Sequence, residues 1–241
     1  MPHLFRSALH QNRYYAWFEA LHTRIDLLLL GSLSEAEFEA AEAAVHAELH
    51  AVEKMGNRFD PESELSRAVK AAATKPVAIS SGLYSLLSRC LQAHRDTGGL
   101  FDITVNSPDF FPGLINSFEL TPDGYLHLHR DNIVLDLSGI LKGYALERLR
   151  ELLPTFGIQD ALINLGNSSI LSLGHNPSDI PAGYCLTTSG NATADRRHIR
   201  NPLTGEFVIG QRTVSVTTAN AIDGEILSTV TFIRSAVDTH F

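Results

Sequence analysis

LDLSGILKG, residues 135–143, sets the reading of the chain. Its apolar alternation ends at Asp136-Leu137 as a strand would, Ser138-Gly139 supplies a turn, and Lys142-Gly143 opens a helix. A helix start carries free backbone N–H groups and the positive end of the dipole, a place that favours phosphate or another anion. Lys142 adds a point charge, Gly143 permits close backbone approach, and Asp136 can accept from a ribose or a ring N–H. Taken alone, an ordinary strand–turn–helix with a surface lysine fits equally well. Working outward, YLHLH and IVLDL across Arg130-Asp131-Asn132 predict a hairpin over 125–137. Downstream come a helix over about 142–153 closed by Pro154, the strand DALINL, a tight Gly166-Asn167 turn and SSILSLG. Strands and helices therefore interleave, which predicts an α+β fold, or α/β with a mostly antiparallel sheet.

The rest of the chain fits that class. RIDLLLL (24–30) reads as a buried strand. Ser34 and Glu37 form a capping box before a helix whose Phe38, Val45, Leu49, Val52 and Met55 recur at helical spacing. GNRFDPESEL is a loop in which Ser63 can cap a short helix. Ser80 or Ser81 caps another, with Leu83, Leu87, Leu91 and His94 on one face and a stop at Gly98-Gly99. Strands near 183–188 and 213–218 and a last helix over about 220–230 complete the pattern.

Composition narrows the function. With 241 residues, 44% hydrophobic, the chain suits one large domain or two lobes folded together. A net charge of -8 without a basic cluster argues against nucleic acid. Cys90 and Cys185 read as buried free thiols rather than a disulfide or zinc set. His127 and His129 alternate with Leu126 and Leu128 and read as a solvent-facing row. The N-terminus lacks a signal-type apolar core, and IDLLLLG is too short for a bilayer, which takes about 20 residues. With Met1 at its start, the chain reads as an intact, soluble, cytoplasmic protein without a membrane span.

Other short motifs sit at the edges of apolar runs. In GGLFD, Phe101-Asp102 can place an aromatic face and a carboxylate in one pocket, although on its own a helix C-cap followed by a strand is the better reading. TTSG (187–190) leads towards HIRNPLTG, where His198 in a constrained loop can act as a general base, its ordinary pKa lying near ~6.5. Glu225 and Thr229 stand four apart on the last helix. A carboxylate and a hydroxyl on one turn suit a hard cation, and a solvated helix face suits them too.

Together and in order, FDPESELSR (59–67), TGGLFDITV (97–105), LDLSGILKGYALERL (135–149), INLGNSSILSLG (163–174), LTTSG (186–190), HIRNPLTG (198–205) and SVTTANAIDGEILST (215–229) resemble the ApbE family of FAD:protein FMN transferases, over about residues 20–233. The resemblance implies a single ApbE-like, T-fold-related domain spanning 1–241, two-lobed, with a mixed, mostly antiparallel sheet and flanking helices. It implies FAD as substrate, Mg2+, and transfer of FMN to a threonine or serine of an acceptor flavoprotein with release of AMP. By position it assigns Phe59, Leu100, Phe101, Asp102, Asp136, Lys142, Ser189, Gly190, His198 and Ile199 to FAD. It assigns Gly139 (through its carbonyl), Glu225 and Thr229 to the metal, and catalysis to His198 and Lys142.

The chain departs from the family pattern in places. Glu225 stands where the family usually has Asp, Gly166-Asn167-Ser168 where it has Gly-Gly-Asp, and Val69 where an Asn is usual. The stretch between Gly174 and Thr187 is short, and the chain stops soon after STVTFI. Beside the transferase, these departures leave open an FAD pyrophosphatase giving FMN and AMP, and an FAD-binding protein without transfer activity.

Overall fold

The computed structural model describes residues 5–7, 12–191, 193 and 197–237, without the side chains of 5–7, 236 and 237. Of the opening segment read for a signal, residues 1–4 and 8–11 lie outside these residues. The chain forms two compact units, one of Met1–Glu53, Ile140–Ser189 and Ser215–Ser228, the other of Lys54–Gly139, Gly190–Val214 and Thr229–Phe241. Among the described residues no helix is long and apolar enough to cross a membrane.

Ten strands and five α-helices are present among the described residues. Strands β1 (Phe5–Ser7), β2 (Arg13–Ala20), β3 (Thr23–Leu30), β7 (Asp160–Leu165), β8 (Ser169–Leu173), β9 (Cys185–Asn191) and β10 (Arg212–Thr218) form one sheet in the order β1-β2-β3-β7-β8-β9-β10. From β1 to β9 every neighbouring pair is antiparallel. Strand β2, beyond the strands expected from sequence, pairs with β3 over its full length, Arg13 opposite Leu30 and Ala20 opposite Thr23. The two-residue turn between them puts Leu21 (φ 52) and His22 (φ 57) in the left-handed region. Strand β3 is buried on one face only: Ile25, Leu27 and Leu29 are fully buried, while Asp26 and Leu28 are half-buried on the other.

Helix α1 (Glu35–Gly56) begins at the predicted capping box. Ser34 N donates to Glu37 Oε2 at 2.8 Å, and Glu37 N reaches back to Ser34 Oγ at 3.4 Å. Phe38, Ala41, Val45 and Leu49 are its buried stripe, with the Phe38 ring stacked on Tyr14 of β2 at 5.2 Å. Helix α4 (Leu141–Leu152) buries Ala145, Leu146 and Leu149 and ends in a 3-10 turn holding Pro154. Helix α5 (Ala221–Val237) runs one to two turns further than its sequence suggested.

The second unit contains α2 (Glu64–Ala72), capped by Ser63, and α3 (Ser81–Asp96), capped by Ser80. Helix α3 buries Leu83, Leu86, Leu87, Cys90 and Ala93, and Gly98 and Gly99 end it at positive φ, Gly99 N donating to His94 O at 2.8 Å. A small antiparallel sheet is ordered β4 (Val77–Ala78), β6 (Tyr125–Leu128), β5 (Phe118–Leu120). Here one expectation is corrected: β6 does not form a hairpin with IVLDL. It pairs with β5 across Thr121–Gly124, a Pro-Asp-Gly turn with Gly124 at φ 89, a stronger turn signal than Arg130-Asp131-Asn132. Ile133, Leu135 and Leu137 are still buried, but the segment belongs to no strand. Its backbone is held by Asp136 N donating to Ile103 O at 2.7 Å and Val134 N donating to Ser107 Oγ at 2.9 Å.

Candidate active site

In the first unit the chemistry gathers where α4 and α5 begin. Lys142 lies in the first turn of α4, which has no side-chain cap. Its ammonium donates to Ser168 Oγ in the β7–β8 turn. The next residue, Ser169, donates from Oγ to Glu225 Oε1 at 2.5 Å. Glu225 is 5% exposed, and burial pushes its carboxyl up to about 6, against the pull of the Lys142 charge and the Ser169 hydroxyl. A lysine, two hydroxyls and a buried carboxylate thus form one chain of contacts.

Close helix packing holds that cluster in place. A Cβ on Gly143 would lie 2.7 Å from Ala221 O and 2.8 Å from Glu225 Cγ, so the close approach that Gly143 permits is to α5. The backbone N–H of Ala221 donates to Glu147 Oε1 at 2.7 Å, and Glu147 pairs with Arg150 at 3.1 Å. Arg150 in turn donates to Gly183 O at 2.8 Å and Ala219 O at 3.0 Å. Glu147 and Arg150 therefore tie α4 to the start of α5. One turn along from Glu225, Thr229 is half-buried on the same helix. Ser189 hydrogen-bonds Ser228 at 2.8 Å.

In the second unit two of the predicted segments are zipped together. Asp136 is buried and its carboxylate is fully engaged. Oδ1 accepts from Ser138 N at 3.0 Å and Ser138 Oγ at 2.6 Å, and Oδ2 accepts from Asn106 Nδ2 at 2.8 Å. Arg58 forms an ion pair with Oδ2 at 2.8 Å and lies over the Phe59 ring at 4.0 Å. Phe59 itself is 67% exposed, the most open large apolar side chain among the described residues. Gly139 is exposed in the turn before α4.

Leu100, Phe101 and Asp102 are buried, so the two apolar side chains of GGLFD face the core. Asp102 Oδ1 accepts from Thr104 N at 2.7 Å and Thr104 Oγ1 at 2.6 Å. Oδ2 is buried without a hydrogen-bond partner, 3.5 Å from His94 Nδ1, and burial raises the carboxyl above its usual range. His94 Nδ1 also lies 3.1 Å from Phe101 O. His198 is exposed and Ile199 half-buried at the head of a short hairpin, where Val208 N donates to Ile199 O at 2.8 Å. The NPLTG turn is closed by Asn201 Oδ1 accepting from Leu203 N at 2.9 Å. Gly190 approaches Arg212 so closely that a Cβ would lie 2.3 Å from its carbonyl oxygen.

Sequence reading found Lys142, Glu225, Asp136 and Asp102 but not their partners Ser168, Ser169, Arg58, Asn106 and His94. A cue existed for the serines alone, in the Gly-Asn-Ser-Ser run that replaces the family's carboxylate.

An α+β fold with this motif order defines a class, that of the flavin transferases of ApbE type. The ApbE family profile matches residues 21–109 and 113–239, and the chain belongs to that family. It is 27% identical over 175 residues to an FAD:protein FMN transferase of Klebsiella pneumoniae (62% of this chain, 50% of that one). It is 23% identical over 192 residues to one of Chlamydia muridarum (70% of this chain, 59% of that one). The chain thus spans about half to three fifths of the length of the curated relatives it matches. Among solved structures it is similar to the flavin transferase ApbE of Vibrio cholerae, at TM-score 0.78 and 18% identity over 100% of this chain and 92% of that one. The ApbE protein of Thermotoga maritima gives TM-score 0.79 and 18% identity, over 99% and 89% respectively.

The donors present fit the metal that this family implies. The Glu225 carboxylate offers oxygens only, as a hard cation requires, and a carboxylate that ionises reluctantly for want of solvent gains from a cation beside it.

Proposed function

We propose that this chain, acting as one flavin-transferase domain, is an enzyme that moves FMN from FAD to a threonine or serine hydroxyl of an acceptor flavoprotein and releases AMP. The observation that carries the reading is the Lys142–Ser168 and Ser169–Glu225 cluster at the paired starts of α4 and α5. A lysine held at an uncapped helix start suits a pyrophosphate. A buried carboxylate one turn from a hydroxyl suits the cation that accompanies it. The curated relatives bear the name of that activity.

In this reading Lys142 orients the pyrophosphate by charge. By the family's pattern Glu225, Thr229 and the Gly139 carbonyl would hold Mg2+. When bound, Mg2+ supplies Lewis-acid neutralisation of charge on the phosphates. Asp136 holds Arg58 over the Phe59 ring, and the family's pattern assigns Phe59, Asp102, Ser189, Gly190 and Ile199 to FAD. Exposed His198 accepts the proton of the acceptor hydroxyl. The hydroxyl oxygen bonds to the FMN phosphorus, the pyrophosphate bond breaks, and AMP leaves with the electron pair.

The test is incubation with FAD and Mg2+, with and without a threonine-bearing acceptor peptide, resolving AMP, FMN and flavinylated peptide by chromatography. AMP together with peptide-bound FMN is expected, and Glu225→Ala is expected to slow its formation by about 100-fold. AMP with free FMN would replace transfer by hydrolysis, and intact FAD would replace it by binding alone.

A further inference from the structure

The small sheet of the second unit carries a side-chain cluster that plays no part in the proposed flavin chemistry. Glu119 of β5 stands directly opposite His127 of β6. Two residues on, His129 returns to the same face by the strand period, and its N–H donates to Ser117 O at 2.8 Å, extending the ladder beyond β6. Phe118, Leu126 and Leu128 fill the opposite, buried face. Glu119 and His129 are exposed and His127 is half-buried. One ligand atom from each of the three lies within 4.8 Å of the others. His129 Nε2 is 3.2 Å from Glu119 Oε2, and the two imidazoles meet edge to face at 4.5 Å.

We propose that Glu119, His127 and His129 form a surface transition-metal site, taking Zn2+ or a similar divalent ion. Bonds of about 2.1 Å in tetrahedral geometry put ligand atoms about 3.4 Å apart. The Glu119–His129 pair already has that spacing, and since no edge exceeds 4.8 Å, closing the others needs at most about 1.4 Å of side-chain movement. Two imidazoles and one carboxylate select Zn2+, Cu2+ or Ni2+ and discriminate against Mg2+. The cross-strand register and the Thr121–Gly124 turn fix the backbone, with Thr121 N donating to Tyr125 O at 2.9 Å, so little ordering remains for binding. Three protein ligands leave a fourth position for water or an incoming ligand, and the ion clips β5 to β6.

The proposal stands apart from the flavin reading and is tested without it. Tag-free, EDTA-washed protein is titrated with Zn2+ against a chromogenic chelator in millimolar Mg2+. One site of micromolar affinity or tighter is expected. His127→Ala/His129→Ala should weaken binding about 100-fold or more and Glu119→Gln about tenfold, with melting in EDTA unchanged. His129→Ala alone, at an exposed position, covers the case in which the double variant folds poorly. Wild-type protein that binds Zn2+ no better than the His129→Ala variant, or loses it to millimolar Mg2+, overturns the site.

Discussion

A carboxylate buried as deeply as Glu225 ionises against its surroundings. Its folded pKa is pushed up to about 6 from 4.5, chiefly by burial. Well below pH 4.5 the folded and unfolded chains both hold the proton, and the group adds no pH dependence. Between about 4.5 and 6 the unfolded chain gives it up first, so stability falls as pH rises. Above about 6 the whole penalty stands, about 2 kcal/mol. Glu225→Gln abolishes that titration. In EDTA the variant should be more stable than wild type by about 2 kcal/mol at pH 7.5 and by under about 1 kcal/mol at pH 5, read from denaturant melts. The same gap at both pH values would mean that the side chain does not titrate in this way. Mg2+ should stabilise wild type at pH 7.5 and leave Glu225→Gln unmoved. Glu225 was readable from its motif. Ser169, which bonds it, was not, because 56 residues separate the two and a serine has many uses.

At the scale of elements, what was legible followed from locality. The caps Ser34, Ser63 and Ser80 act within three residues of themselves, and all three helices begin where those serines stand. Strand partners are chosen by distant segments, which is why IVLDL read as half of a hairpin although its backbone is held by residues 103–107. The β2–β3 turn was hidden for another reason. It carries Leu21 and His22 where two positive φ angles call for Asn-Gly. A left-handed leucine costs about 1–2 kcal/mol, so the pair Leu21→Asn and His22→Gly should raise unfolding stability by about that much, visible as a higher urea midpoint at unchanged slope. No gain would show that the turn is held at no cost. The α4–α5 contact gives the opposite forecast. Gly143→Ala places a methyl against the Ala221 carbonyl and should destabilise by about 1–3 kcal/mol. Because Lys142 and Glu225 flank the contact, kcat for the proposed FAD cleavage should fall at a temperature where the variant is still folded. Full activity in a destabilised variant would separate packing from chemistry.

For the molecule as a whole, neither unit is a continuous stretch of chain. Each is assembled from three segments, and the segments alternate along the sequence. That interleaving was not legible beforehand: composition and length allowed one domain or two lobes, and no linker of Gly, Pro or Ser marks a boundary. A unit built from alternating segments cannot melt while its neighbour stays intact without stranding the connecting chain, so the two should unfold in one transition. The cysteines report on this without added labels. Cys90 on α3 belongs to the second unit and Cys185 on β9 to the first, both free and buried. Burial pushes both thiols up to about 12, so neither offers appreciable thiolate at neutral pH. In native protein both should resist alkylation by iodoacetamide. In rising urea, brief alkylation pulses read by peptide mass should expose both at the same midpoint. Two separate midpoints would mean that the units are thermodynamically independent despite the interleaved chain. Rapid labelling of Cys185 alone in buffer would mean that β9 opens locally, next to Ser189 and the start of α5.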